Sequence, residues 1–210
     1  MDTNELFEIN DLNNISIEEF DGSKIYYMDN FYKNPDDVKS FINLYNADLW
    51  KKNEKPSLNG DAFIDRRHFI KDENFLKVTS QLSSLLNLDC NYPSYIMTNC
   101  TLFRDKDFND YQNNYWFPHI DPCHVALIYF DENEGPGTNL YERIEKDINP
   151  HPEHFAPWRP KSKYNIIKTL YSKYNRLIIF DGQHFLHGMS IVDDTFFNIE
   201  RMNQAIFFDN

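Results

Sequence analysis

The sequence predicts a mainly β, α+β fold in which a β-sandwich or barrel is buttressed by helices from the N-terminal half. Three observations carry this expectation. Apolar residues recur at helical spacing in two stretches of the first half and in none of the second. The second half breaks instead into short runs rich in branched and aromatic residues, separated by turn formers. Helices followed by many short strands favour helices packed on a sheet over alternating βαβ units.

Residues 1–23 are acidic and Asn-rich, with apolar points at Leu6, Phe7, Ile9, Ile15 and Ile17 that suit short edge strands. Lys24–Tyr32 reads as a strand. Asn34-Pro35-Asp36-Asp37 marks a helix start: Asn34 suits the N-cap, Pro35 the first helical position, and the two Asp the positive end of the dipole. Val38, Phe41, Ile42 and Tyr45 carry that helix to about Asn46. Residues 51–62 read as a polar loop. A second amphipathic helix fits Glu73–Leu88, capped by Asp72, with Phe75, Leu76, Val78, Leu82, Leu85 and Leu86 on its apolar side. Tyr95–Phe103 reads as a strand and Arg104–Asn114 as a polar loop or turn.

The strands of the second half are Cys123–Phe130, Asn139–Arg143, Asn165–Tyr171, Arg176–Phe180, His184–His187 and Arg201–Phe208. Between the second and third of these, Asn149–Lys163 holds Pro150, Pro152, Pro157 and Pro160, and Pro chemistry makes it a loop. It is either a lid over a site or a surface insertion packed by Phe155 and Trp158. With no internal repeat and no low-complexity linker, 210 residues read as one domain, 1–210.

The bulk chemistry narrows function. A formal net charge of −12 repels phosphate backbones and argues against a duplex nucleic-acid partner. Three cysteines, Cys90, Cys100 and Cys123, have no paired spacing, so neither a disulfide framework nor a zinc ribbon is expected and a reducing, cytoplasmic setting is. The N-terminus lacks the basic and apolar regions of a signal peptide, and no apolar run approaches the roughly 18 residues of a membrane span. Oligomeric state leaves no trace in the sequence.

The chemistry gathers in Trp116–Phe130, read as WFPHIDPCHVALIYF. His119 and Asp121 stand two residues apart, so in an extended segment both face the same way, just before an apolar strand. His187 follows a buried strand and a turn at Asp181-Gly182, and Gly188 after it permits close backbone approach. His184 competes with His187 as third ligand. Arg201 opens the last strand on one face with Asn203, Ala205 and Phe207, where it can clamp a carboxylate bidentately. Arg176 is its rival. Two His and one Asp on one side of a divalent iron leave positions for further ligands. His124 is out of phase with the candidate ligands, His151 and His154 sit in the Pro-rich loop, and Cys123 suits a core. Tyr111, Tyr115 and Trp116 line either a substrate entrance or the core.

This HxD…H…R order, after helices and within a β-rich half, resembles the Fe(II)/2-oxoglutarate-dependent dioxygenases, in particular small prolyl-hydroxylase-like members of the kind encoded by bacteria and their phages. Tyr26–Val38, the run Val125–Phe130 followed by Gly135-Pro136-Gly137-Thr138 as a strand and turn, and Asn175–Gly182 are similar to the family's flanking segments, over roughly residues 24–208. Pro136 departs from the family's second Gly, which puts the role of Thr138 in question. The resemblance implies a double-stranded β-helix, a cupin-like jelly roll, over 115–208, supported by 24–114. It implies that His119, Asp121 and His187 bind Fe(II) and that Arg201 holds the distal carboxylate of 2-oxoglutarate. Tyr129 is a second candidate for that carboxylate, and Asn203 for the cosubstrate or a water. The implied reaction consumes dioxygen, decarboxylates 2-oxoglutarate to succinate and hydroxylates a small molecule or a peptidyl side chain. A non-catalytic metal-binding jelly roll, acting as sensor or binding protein, and a metal-dependent enzyme of other chemistry such as a zinc hydrolase are the alternatives.

Overall fold

The computed structural model describes residues 3–44, 51–52, 63–69, 73–87, 95–103, 111–132, 134–144, 158–199 and 201–209. A short helix, α1 (Thr3–Leu6), leads to a hairpin of β1 (Ser16–Phe20) and β2 (Ser23–Met28). Asp21 and Gly22 turn it with φ of 48° and 77°, the paired left-handed conformation an Asp-Gly turn supplies. Helix α2 (Pro35–Leu44) begins at the expected proline, with Asp36 and Asp37 in its first turn. Then come β3 (Lys51–Lys52), β4 (Phe63–Phe69), helix α3 (Glu73–Leu86) and β5 (Tyr95–Phe103). The remaining elements are β6 (Asn114–Trp116), β7 (Cys123–Tyr129), β8 (Gly135–Arg143), β9 (Trp158–Pro160), β10 (Tyr164–Ser172), β11 (Arg176–Asp181), β12 (Leu186–Met189), the four-residue helix α4 (Thr195–Asn198) and β13 (Arg201–Asp209).

Among the described residues, eight strands form one sheet in the order β1-β2-β11-β7-β13-β5-β4-β3, three form a second in the order β10-β8-β12, and β6 pairs with β9. Every pairing among these strands is antiparallel. The two larger sheets enclose a core drawn from both: Val125, Leu127, Tyr129, Ile178, Phe180 and Ala205 from the eight-stranded sheet meet Leu140 and Leu170 from the three-stranded one. The fold is a jelly roll.

The large sheet is also covered on its other face. Ala126, Ile128, Phe130, Leu177, Ile179, Met202, Ile206 and Phe208 pack with Leu6, Phe7, Val38, Val78 and Leu82 from the helical N-terminal half. Alternate residues of β7 therefore enter two different cores. That is why Val125–Phe130 reads as an unbroken apolar run rather than an alternation. Ile128 is fully buried among the helix-side residues. Ile128→Ala is expected to lower unfolding free energy by about 2–5 kcal/mol, read as a reduced urea midpoint at unchanged slope.

Several boundaries differ from the sequence expectation. The strand expected over Lys24–Tyr32 ends at Met28, and the chain turns away through Asp29 and Asn30. Gly135-Pro136-Gly137-Thr138 is the first half of β8 rather than a turn, because β10 pairs along it from Ser172 to Leu170. His184 lies in the turn before β12, not in the strand. Short strands occupy stretches expected to be loops: Lys51–Lys52 against β4, Asn114–Trp116 against Trp158–Pro160. The second half also holds α4. Strand β4 has no clean alternation in FIDRRHF; its identity comes from pairing with β5 along its whole length. The expected helix ends near Asn46 and Leu88, most of the 51–62 and 104–114 loops, and residues 149–157 with His151 and His154 lie outside the described residues. Among the described residues no helix is long and apolar enough to cross a membrane.

Candidate metal centre

His119 lies between β6 and β7, and a pair of backbone hydrogen bonds holds it there. Its N–H donates to His187 O and the His187 N–H donates to His119 O, both at 2.8 Å. The two histidines are thus an antiparallel bridge that adds the HxD segment to the edge of β12. Asp121 is tied to the turn after β11: its N–H donates to Gly182 O at 3.1 Å, and Gly182 N–H donates to Cys123 O at 3.0 Å. Local extension sets His119 and Asp121 on one face; the bridge then brings in His187 from far along the chain.

The side chains converge. Asp121 Oδ2 lies 3.6 Å from His119 Nε2 and 3.2 Å from His187 Nε2. One ligand atom from each of the three falls within 4.8 Å of the others, and no other such group occurs among the described residues. His119 Nδ1 lies 2.7 Å from Phe117 O, and His187 Nδ1 lies 2.9 Å from Phe185 O. A carbonyl only accepts, so each Nδ1 carries a proton, and in the neutral ring that leaves the Nε2 lone pair free for a metal. Burial pushes His187 below the ordinary histidine range, aided by repulsion from His119 and opposed by Asp121. Burial works to raise the Asp121 carboxyl, but where an imidazole also carries a proton on Nε2 its hydrogen bond and charge outweigh burial and hold the carboxyl well below the usual carboxylate range. Two neutral imidazole lone pairs and one carboxylate, oriented by backbone carbonyls behind them, are a donor set that fits a divalent transition metal.

Glycine makes room here. A Cβ at Gly182 would stand 2.7 Å from Cys123 O, 2.8 Å from Val125 Cγ2 and 3.1 Å from Asp121 Cβ. Gly182→Ala is therefore expected to cost about 1–3 kcal/mol of stability by overpacking and to displace Asp121. Denaturation and Co(II) titration on the same sample check both.

A second polar group lies further inside. Arg201 opens β13, is only 6 % exposed, donates from Nη2 to Gly137 O at 2.9 Å, and sets its guanidinium 5.6 Å from the Tyr129 ring centre. The fully buried Tyr129 hydroxyl is 2.9 Å from Thr138 Oγ1. Asn203 is buried and in register with Tyr129. Leu140 pairs with His187, and Thr138 is two residues back along β8. Thr138 and the metal-side histidine therefore share an inner face, separated by about 7 Å along the strand. Thr138, left in question by Pro136, and Gly137 thus join Arg201 and Tyr129; the GPGT run is their signal in the sequence.

Asp131 stands beside this group, 9 % exposed, its Oδ1 accepting the Met202 N–H at 2.8 Å. Burial raises its pKa against the pull of Arg201. A carboxyl raised in the native state stabilises the fold fully below its unfolded pKa, and that contribution is lost as pH rises through the higher folded value. Asp131→Asn keeps the acceptor and removes the charge. It is expected to be more stable than wild type at neutral pH, with the difference vanishing in acid, as urea midpoints across pH would show.

The rivals fall away. His184 Nε2 is 2.8 Å from Asp21 O and faces solvent. Arg176 is paired with Asp29 and donates to Tyr171 O. Cys123 is buried in the core between the sheets. His124 is half-buried on β7 opposite Asp181 and Phe208. Tyr115 packs with Tyr141, Tyr164 and Leu186, so it belongs to a core; Trp116 meets Trp158 edge-on at 4.9 Å.

The double-stranded β-helix and its His-Asp-His group define a jelly-roll protein with a candidate mononuclear metal centre. Among solved structures, the chain is similar to an oxidoreductase of the 2OG-Fe(II) oxygenase family from Burkholderia pseudomallei, 12% identical, covering 81% of this chain and 77% of that one, with a TM-score of 0.44. It is also similar to a prolyl-4-hydroxylase from Pseudomonas putida, 10% identical, covering 89% of this chain and 92% of that one, with a TM-score of 0.44. No family model and no curated protein matches the sequence.

Proposed function

We propose that this protein is an Fe(II)- and 2-oxoglutarate-dependent oxygenase that hydroxylates a small molecule or a peptidyl side chain. The observation that carries the reading is the spacing of two groups on one inner face: a His-Asp-His triad, and about 7 Å along the sheet a buried Arg-Tyr-Thr cluster. A short dicarboxylate whose keto-acid end is at the metal needs a cation and hydroxyl donors at that distance. His119, Asp121 and His187 would hold Fe(II). Arg201 would pair with the distal carboxylate, Tyr129 and Thr138 would offer hydroxyls to it, and Asn203 would contact the cosubstrate or a water. Iron with 2-oxoglutarate and dioxygen supplies oxidative decarboxylation to succinate coupled to insertion of one oxygen atom into a substrate C–H bond. The chain's own share is orientation: Arg201 loses little solvation on pairing because it is already buried, and Phe180 packs edge-on against the His187 ring at 4.9 Å. Asp121 occupies the ligand position that a halide-transferring site would leave empty, which favours hydroxylation.

The test is succinate formation. Purified protein supplied with Fe(II), 2-oxoglutarate and air is expected to release succinate slowly without substrate, and not at all with Zn(II) in place of iron. Equal turnover with Zn(II), or metal binding with no affinity for 2-oxoglutarate, would contradict the proposal; the latter fits a metal-binding jelly roll without this chemistry.

A further inference from the structure

We propose that Phe117 is a positioning residue: its left-handed backbone aims its carbonyl at His119 Nδ1 and so presents the His119 Nε2 lone pair to the metal. This rests on the reading of the triad as a metal site. The two candidate histidines each end a Phe-x-His unit, Phe117-Pro118-His119 and Phe185-Leu186-His187. In each, the imidazole Nδ1 meets the carbonyl of the Phe two residues earlier, at 2.7 and 2.9 Å. The units are joined through the reciprocal 2.8 Å hydrogen bonds between His119 and His187, and the two rings lie 4.4 Å apart. Together they form a paired device that points both Nε2 atoms at Asp121.

The halves differ in how the carbonyl is aimed. Phe117 has φ of +51°, a region that L side chains with bulk avoid, whereas Phe185 is not among the positive-φ residues. Pro118 narrows the choice further, since a residue before proline is itself restricted. Space for this peptide comes from Gly188: a Cβ there would stand 2.5 Å from Trp116 O and 2.9 Å from Phe117 O. A glycine at 117 would make the same turn without strain. The chain instead has a phenylalanine whose ring lies 4.7 Å from the His119 ring, tilted by 53°. Carbonyl and ring both address the same imidazole, and strain that persists where surroundings over-determine it points to function.

The test compares Phe117→Val with Phe117→Gly. Valine resists positive φ, whereas glycine adopts it freely. One readout is the His119 tautomer in metal-free, histidine-labelled protein, from long-range 1H–15N spectra in alkaline buffer, assigned with His119→Gln. The other is Co(II) affinity from its d–d absorption. Wild type is expected to hold the Nδ1–H tautomer. Phe117→Val should mix tautomers and bind Co(II) about 10- to 100-fold more weakly, the range for losing an outer-shell partner. Phe117→Gly should keep the Nδ1–H tautomer and bind more tightly than the valine variant. If Phe117→Val does not fold, Phe117→Ala against Phe117→Gly gives the same contrast. A wild-type tautomer in every variant, with Co(II) affinity within about threefold of wild type, overturns the proposal. Failure of wild type itself to bind Co(II) overturns the metal-site reading, and the two failures are thereby distinguished.

Discussion

Asp121→Ala is expected to weaken Fe(II) binding by at least about 100-fold while leaving the fold intact, because it removes a ligand rather than an outer-shell partner, whose loss alone costs 10- to 100-fold. The carboxylate is the one charged donor of the triad and the atom on which both imidazoles converge, at 3.2 Å from His187 Nε2 and 3.6 Å from His119 Nε2. Its removal leaves two neutral nitrogens with no anion to offset a divalent charge. The fold should survive, since Asp121 is held through its backbone N–H to Gly182 O, which alanine keeps. Asp121→Asn should fall between, retaining a neutral oxygen donor. Anaerobic equilibrium dialysis gives the affinities, and unchanged far-UV circular dichroism gives the control.

Arg201→Ala should fail differently. It is expected to leave Fe(II) affinity near wild type and to weaken 2-oxoglutarate binding by about 3 kcal/mol, roughly 150-fold, the scale for truncating one member of a buried hydrogen-bonded charge pair. The guanidinium is buried on the inner face and is anchored by Gly137 O and the Tyr129 ring rather than by a carboxylate hydrogen bond. A ligand carboxylate would supply a directly hydrogen-bonded countercharge, which Asp131, acting on Arg201 only through its charge, does not. Arg201→Lys keeps charge without the planar fork and should recover part of the loss. Equal loss of iron binding in Asp121→Ala and Arg201→Ala would contradict this division of roles.

The candidate centre was largely legible in the sequence because its chemistry is local and typed. HxD in extended chain puts two donors on one face whatever follows, and the strand-borne His187 further on converges with them. The rivals could not be dismissed on sequence grounds, because what removes His184 and Arg176 is their partners, Asp21 O and Asp29. Thr138 was obscured because Pro136 broke the expected glycine pattern; only the Tyr129–Thr138 contact restores it. The aiming of the histidines by Phe117 and Phe185 depends on φ and on hydrogen bonds to carbonyls, neither of which residue type records. The same holds for the fold. Strands β7 and β11 were visible because two-sided burial demands apolar runs, β13 through its Ala205-Ile206-Phe207-Phe208 end, and α2 because its first turn spells out its start. Strand β4 and the β6–β9 ribbon were not, since their order comes from partners distant in the chain.

Anaerobic titration of the iron-loaded protein with 2-oxoglutarate, followed by visible absorption, tests the central claim most directly. A charge-transfer band should rise and saturate at one 2-oxoglutarate per chain, be lost in Asp121→Ala, and require far more 2-oxoglutarate in Arg201→Ala. Iron bound to intact, folded protein with no band at any 2-oxoglutarate concentration would contradict the account.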